Sequence, residues 1–219
     1  MAEIWDQLWH DDKNRKAWIE PEEGFLDLLP TLKGERVLRT LDLGCGIGRH
    51  VIVLAAEGFE TYGIDSSAAA IEYCRSWMNT AALCATVRHG NMQAIPYPDR
   101  FFDFVLCWNV IYHATRRGMT GILAEIERVL RVDGLLYLTL NSTRNKHCGS
   151  GNEVEPDTFI DSDKADGQHL HHYSDEVDVR NLLSRFHIES IKEAEQGPPD
   201  SVIAGSWHWT ILARKRTHK

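Results

Sequence analysis

The chain has 219 residues, 43% of them hydrophobic, which suits one domain with a large core and is too short for two comfortable ones. Its formal charge is −8 with no long basic run, which argues against a nucleic-acid binder that tracks the phosphate backbone. The five cysteines (Cys45, Cys74, Cys84, Cys107 and Cys148) form no C-x-x-C pair, and neither a signal-peptide pattern nor an 18-residue apolar span is present, so the expected setting is reduced and cytoplasmic, with no membrane partner.

Ile4, Trp5, Leu8 and Trp9 fall on one helical face near the N-terminus, and Trp18 follows. Phe25, Leu28, Leu29 and Leu32 repeat at i, i+3, i+4 and i+7, predicting a helix ended near Pro30 and Gly34. Val37 to Leu43 reads as an apolar strand that runs into Gly44, Gly46 and Gly48. A helix from Val51 to Glu57 stops at Gly58, and a second strand spans Glu60 to Asp65. Ser66 or Ser67 caps the next helix, whose Ala68, Ile71 and Cys74 share a face. Ala85 to Arg88 and Phe101 to Cys107 are the third and fourth strands. Ile122, Ile126, Val129 and Leu130 line a helix before the fifth strand, Leu135 to Leu140. After a long connection, Asn141 to Tyr173, Ser174 precedes a helix carrying Val179, Leu182, Leu183 and Phe186. Ile188 to Glu193 and Trp207 to Ala213 are two closing strands. This alternation predicts an α/β fold with a mostly parallel sheet covered on both faces. The expected division of the single domain, 1–219, is a helical lid over 1–34, a cofactor-binding core over 35–142, a substrate or lid insertion over 143–173, and a closing helix and strands over 174–219.

The richest stretch is Leu41-Asp42-Leu43-Gly44-Cys45-Gly46-Ile47-Gly48. Alternating glycines at a strand-to-helix turn let backbone pass close to a ligand, and the helix that opens after them points free N–H groups at it. A dinucleotide fingerprint reads G-x-G-x-x-G, whereas here the glycines alternate and Asp42 precedes them. A carboxylate there would oppose a pyrophosphate but could pair with an ammonium group, directly or through water. Asp42 to Gly48 resembles the first motif of class I S-adenosylmethionine (SAM)-dependent methyltransferases, and the strand-end residues Asp65, Asn91 and Asn109 follow in that family's order. The resemblance implies a three-layer α/β/α Rossmann-like sandwich whose seven-stranded sheet has an antiparallel last strand. It implies that Asp42 orients the methionyl amine, that Gly44, Cys45 and Gly46 line the tail, and that Asp65 and Ser66 sit at the ribose. Asn91, standing where the family usually has Asp, and Met92 would hold adenine, with Trp108 and Asn109 beyond the fourth strand completing the cofactor set. Gly44 to Arg49 and Trp209 to Lys215 are also loosely similar to tellurite-resistance and thiol methyltransferase-like enzymes. A SAM-binding regulatory protein without turnover and an NAD(P)-dependent oxidoreductase stand as alternatives.

The implied reaction is direct in-line methyl transfer to a small-molecule acceptor. His113 in Trp108-Asn109-Val110-Ile111-Tyr112-His113 is a candidate base, or equally a structural histidine. The [DN]-P-P-[YF] signature of nucleic-acid-base and protein-glutamine methyltransferases is absent there, so those acceptors lose support. Candidate substrate contacts are Trp5, Tyr112, His113, His171, His172 and Tyr173, the last three within an insertion expected to order when ligands bind. Asp161, Asp163, Asp166 and His169 tempt a metal reading. Ala165, however, stands where a calcium loop needs a ligand, and no cysteine lies at zinc spacing, so no metal is expected. Monomer and homodimer are left open.

Overall fold

The computed structural model describes residues 2–160, 170–196 and 205–217. Chain order begins with α1 (Ala2–His10), α2 (Asp12–Ala17), α3 (Glu23–Leu26) and α4 (Leu29–Gly34). The helix expected over Phe25 to Leu32 is thus two short ones. Pro30, lacking an N–H, sits in the first turn of the second, where that donor has no intrahelical partner. Next come β1 (Arg39–Leu43), α5 (Arg49–Ala56), β2 (Glu60–Asp65), α6 (Ala68–Thr80), β3 (Thr86–His89), β4 (Phe102–Cys107), α7 (Arg116–Val129) and β5 (Leu130–Ser142). Three strands occupy the long connection: β6 (Asn152–Glu155), β7 (Thr158–Ile160) and β8 (Leu170–Ser174). The chain continues with α8 (Glu176–Leu182), β9 (Phe186–Gln196) and β10 (Ser206–Lys215). Phe186, expected on a helix, opens β9 instead.

The main sheet runs β3-β2-β1-β4-β5-β10-β9; its first five strands are parallel and β10 is antiparallel to both neighbours. The seven expected strands are present, and β6, β7 and β8 add an antiparallel meander. The meander joins through two residues, Asn141 against Tyr173 and Ser142 against Ser174. Asn141 also pairs with His208 of β10, so β8 must lie on the other edge of β5, continuing the line of β4 beyond its last residue. This places the meander over the rim where parallel α/β sheets hold their ligands.

Strand alternation explains the layers. In β4, Val105 and Cys107 pack with α7 and α8 through Met119, Ile122, Ile126 and Val179. Phe104 and Leu106 face the opposite layer, against Phe25, Leu29, Leu32 and Leu54. Among the described residues no helix is long and apolar enough to cross a membrane.

Candidate active site

Loops at the C-terminal ends of β1, β2, β3, β4 and β5 converge on one cavity of about 650 Å³, within the ~300–1,000 Å³ typical of small-molecule sites. Gly44 has φ +76°, and a Cβ built there would lie 2.5 Å from Val110 Cγ1, so glycine alone lets the loop after β4 close onto the turn after β1.

Asp65 ties that turn to the next. Its Oδ2 accepts from Gly46 N (2.8 Å) and its Oδ1 from Ser67 N (2.8 Å). Burial pushes this carboxyl above its usual range, against the pull of the two backbone donors. Each oxygen retains a second lone pair, and the residue lines the cavity, so two hydroxyls on adjacent carbons are suitable guests. Ser67 is the N-cap of α6, accepting from Ala70 N, while Ser66 lines the cavity and its carbonyl meets His89 Nε2 at 3.0 Å. Asn91 Oδ1 accepts from Gln93 N (2.9 Å), an Asx turn that fixes Asn91 and Met92 at the cavity wall. Asn109 adopts φ +57° and is locked by Thr139, whose Oγ1 accepts from Asn109 N (2.7 Å) and donates to Asn109 Oδ1 (2.9 Å). Trp108 is buried beside His50 and Tyr137 with its indole edge at the cavity.

Asp42 is placed differently from the other candidate cofactor residues. It is 2% exposed, lies beneath the turn rather than in the cavity wall, and its Oδ2 has no hydrogen-bond partner. Burial raises its carboxyl to about 7, opposed by Arg49 and reinforced by Asp65. An orphaned buried carboxylate favours a cation across the turn and disfavours a phosphate. That donor set fits SAM, with its ammonium-bearing tail, and does not fit a dinucleotide.

The N-terminal helix covers this end of the cavity. Asp6 Oδ1 accepts from Ser67 Oγ (2.8 Å) and Ala69 N (2.9 Å), placing a carboxylate on the N-terminus of α6. The Ala69 bond, then the Ser67 bond, holds Asp6 below the usual carboxylate range. Trp9 packs over Gly46, where a Cβ would lie 3.2 Å from the indole. Trp5 reaches the other lobe, edge-on to His113 with ring centroids 4.8 Å apart.

That second lobe is built from rings. His113 Nδ1 is 3.2 Å from Leu170 O; because a carbonyl only accepts, the proton belongs on Nδ1 and the lone pair on Nε2. Its ring also meets Tyr112 at 4.6 Å and His171 at 4.7 Å. Strand alternation brings His171 and Tyr173 to the cavity and turns His172 away. The His172 ring instead joins Thr158 Oγ1 (2.7 Å) and Asp178 Oδ2 (3.0 Å), and Asp178 also accepts from Ser174 Oγ and Arg116 Nε. Burial opposes the Asp178 charge, but the bonds from His172, Arg116 and Ser174 outweigh it and hold the carboxyl at about 2. His172, expected as a substrate contact, therefore anchors the meander to α8. Replacing His172 by Ala should cost about 2–3 kcal/mol through the unpaired buried partners, lowering Tm by roughly 5–10 °C. Calorimetric scanning checks this, and SAM affinity should not move.

Two cavity histidines, His50 and His208, were not among the candidate residues. His50 lies in the first turn of α5 and accepts from Glu22 N (3.4 Å); burial and then Arg49 keep it neutral, well below the usual histidine range. His208 comes from β10 and meets Tyr112 at 5.7 Å, and Asn141 comes from the end of β5. Helical periodicity from Leu54 and Val51 marks His50 as inward-facing. Nothing local marked His208, whose place depends on β10 pairing with β5. Among the described residues no group of three or more His, Cys, Asp or Glu could hold a metal ion. Asp161, Asp163, Asp166 and His169 lie outside the described residues.

Residues 40–134 match the family model for a methyltransferase domain. The putative methyltransferase YqeM of Bacillus subtilis is 28% identical over 171 residues, covering 75% of this chain and 62% of its own length. The chain thus spans less than two thirds of that relative. A SAM-dependent methyltransferase from Methanosarcina mazei has the same fold, with TM-score 0.70 and 22% identity over 82% of this chain and 93% of that one. TehB from Haemophilus influenzae is a looser fold neighbour, with TM-score 0.65 and 15% identity over 87% of this chain and 62% of that one. Residues 40–134 thus carry a methyltransferase domain, and the chain shares the fold of SAM-dependent methyltransferase structures.

Proposed function

We propose that the chain methylates a small-molecule acceptor by direct in-line transfer, with His113 as the base. The observation that supports this most is a single cavity joining the Gly46–Asp65–Asn91 end to the ring-lined end at His113. SAM, when bound, supplies a methyl group already made electrophilic by its sulfonium, whose sulfur takes the bonding pair. Asp65 would hold the ribose hydroxyls, Asn91 and Met92 the adenine, and Gly44 to Gly46 the tail, with Asp42 facing its ammonium from beneath. The α1 helix and β8 contribute Trp5, Trp9, His171 and Tyr173 to the cavity wall and would help to exclude water there. The Leu170 carbonyl favours the Nδ1–H tautomer of His113, in which Nε2 is the basic nitrogen that would take the acceptor's proton. Catalysis then comes mainly from positioning.

Replacing His113 by Ala should lower kcat about 100-fold or more, leave SAM affinity within about twofold, and abolish the acidic limb of the rate–pH profile. Full kcat in this variant would return His113 to a structural role. Thermal shifts with SAM and S-adenosylhomocysteine, and none with NADH, are expected; stabilisation by NADH instead would sink the reading.

A further inference from the structure

We propose that the acceptor lobe, a wall of rings from α1, the loop after β4, β8 and β10, takes a planar, uncharged compound of one or two fused rings bearing an acidic hydroxyl. This rests on the methyl-transfer reading and narrows it to a substrate class.

The shape argument comes from the wall itself. Tyr112 meets His113, His171 and His208 at centroid distances of 4.6, 6.4 and 5.7 Å, and Trp5 stands edge-on to His113. Tyr173 continues the wall at 6.4 Å from His171. Rings in edge and tilted arrangements present π faces and ring hydrogens that another flat ring complements better than a puckered one. The wall is held by neighbouring structure: His172 N donates to Tyr112 O (2.8 Å) and Tyr173 N to Asp157 O (2.8 Å), so the loop after β4 and the meander set each other's position. The lobe shares the 650 Å³ cavity with the cofactor, a volume that suits a small ring system beside it.

The charge argument comes from what surrounds it. Among the described lining residues the carboxylate and guanidinium side chains are Asp65 and Arg49, both at the cofactor end. Among the described lining residues of this lobe an ammonium acceptor meets no carboxylate, and a carboxylate acceptor meets a cation only if an imidazole takes up a proton. A neutral hydroxyl is served by Asn141 and the imidazoles. Proton acidity narrows the class further. A phenolic hydroxyl gives up its proton to an imidazole base more readily than an aliphatic alcohol does.

The test is titration calorimetry on the full chain saturated with S-adenosylhomocysteine, using naphthol, decahydronaphthol, naphthoate and naphthylmethylamine. Naphthol should bind about tenfold or more tighter than each of the others. His171→Ala and His208→Ala should each weaken naphthol about tenfold without changing S-adenosylhomocysteine affinity. Equal or tighter binding of decahydronaphthol would overturn planarity, and equal or tighter binding of either charged analogue would overturn neutrality. No naphthol binding at its solubility limit would overturn the class. Failure of S-adenosylhomocysteine itself to bind would instead overturn the parent reading, and this one with it.

Discussion

Replacing Asp65 by Ala is expected to weaken SAM binding by roughly 30- to 150-fold, the equivalent of about 2–3 kcal/mol for a lost charged acceptor. The fold should survive, because the buried carboxylate carries a desolvation cost that its removal relieves. The local effect is on the glycine turn: Gly46 N and Ser67 N both lose their acceptor, so the turn after β1 is no longer stitched to the start of α6. Conservative replacement should not rescue this. Asparagine offers one oxygen where the structure uses two, so its amide N–H2 must face one of those backbone donors. Asp65→Asn is therefore expected to lose nearly as much affinity as Asp65→Ala, although isolated ribose contacts would have made it the milder change. Calorimetry on both variants, with circular dichroism to confirm folding, separates the cases. Unchanged affinity in a folded Asp65→Ala variant would remove Asp65 from the ribose site.

How much of this was legible beforehand depends on where each residue's neighbours lie in sequence. Asp42, Gly44, Asp65 and Asn91 could be found because each sits at the end of a strand whose apolar run is complete within a few residues. The helix from Ala68 was legible for the same reason, with a serine cap and an apolar face inside one window. The meander was not. Asn152-Glu153-Val154-Glu155 is an exposed strand without a buried alternating face, and its pairing with Thr158 to Ile160 rests on backbone bonds that composition does not reveal. Missing β8 as a strand had a direct consequence at the site. Leu170-His171-His172-Tyr173 read as a polar cluster puts both histidines at the substrate, while read with period two it sends His172 to Thr158 and Asp178. His208 shows the other limit. Its place opposite Asn141 comes from an antiparallel pairing of residues about seventy apart, a long-range contact with no local periodic signal.

Asp42 should give opposite results in the two states of the protein. Its carboxyl is fully buried, has one oxygen without a partner, and is raised from 3.8 to about 7, with burial the largest cause. A raised carboxyl means the native state holds a proton that the unfolded chain releases, so stability falls as pH rises from about 4 to about 7 and stays lowered above that. At ~1.4 kcal/mol per pKa unit, the penalty at pH 8 is on the order of 4 kcal/mol. Asparagine resembles the protonated form in size and polarity without carrying that charge. Asp42→Asn is therefore expected to raise the Tm of the ligand-free protein at pH 8 by roughly 8–16 °C, at ~2–4 °C per kcal/mol for a chain of this size. The gain should shrink steadily towards pH 5, where the wild-type residue is itself mostly protonated. Cofactor binding should move the other way. The ammonium of SAM favours the ionised carboxylate, so wild-type affinity should climb as pH rises from 5.5 to 7.5, while the variant binds more weakly and with a flatter profile. If the ligand-free variant is no more stable at pH 8, the buried charge is not the burden its surroundings imply. If stability rises but SAM affinity and its pH profile are unchanged, Asp42 is a cost of the fold with no part in holding the cofactor. Both effects together would show a carboxylate kept under strain so that one cation can relieve it.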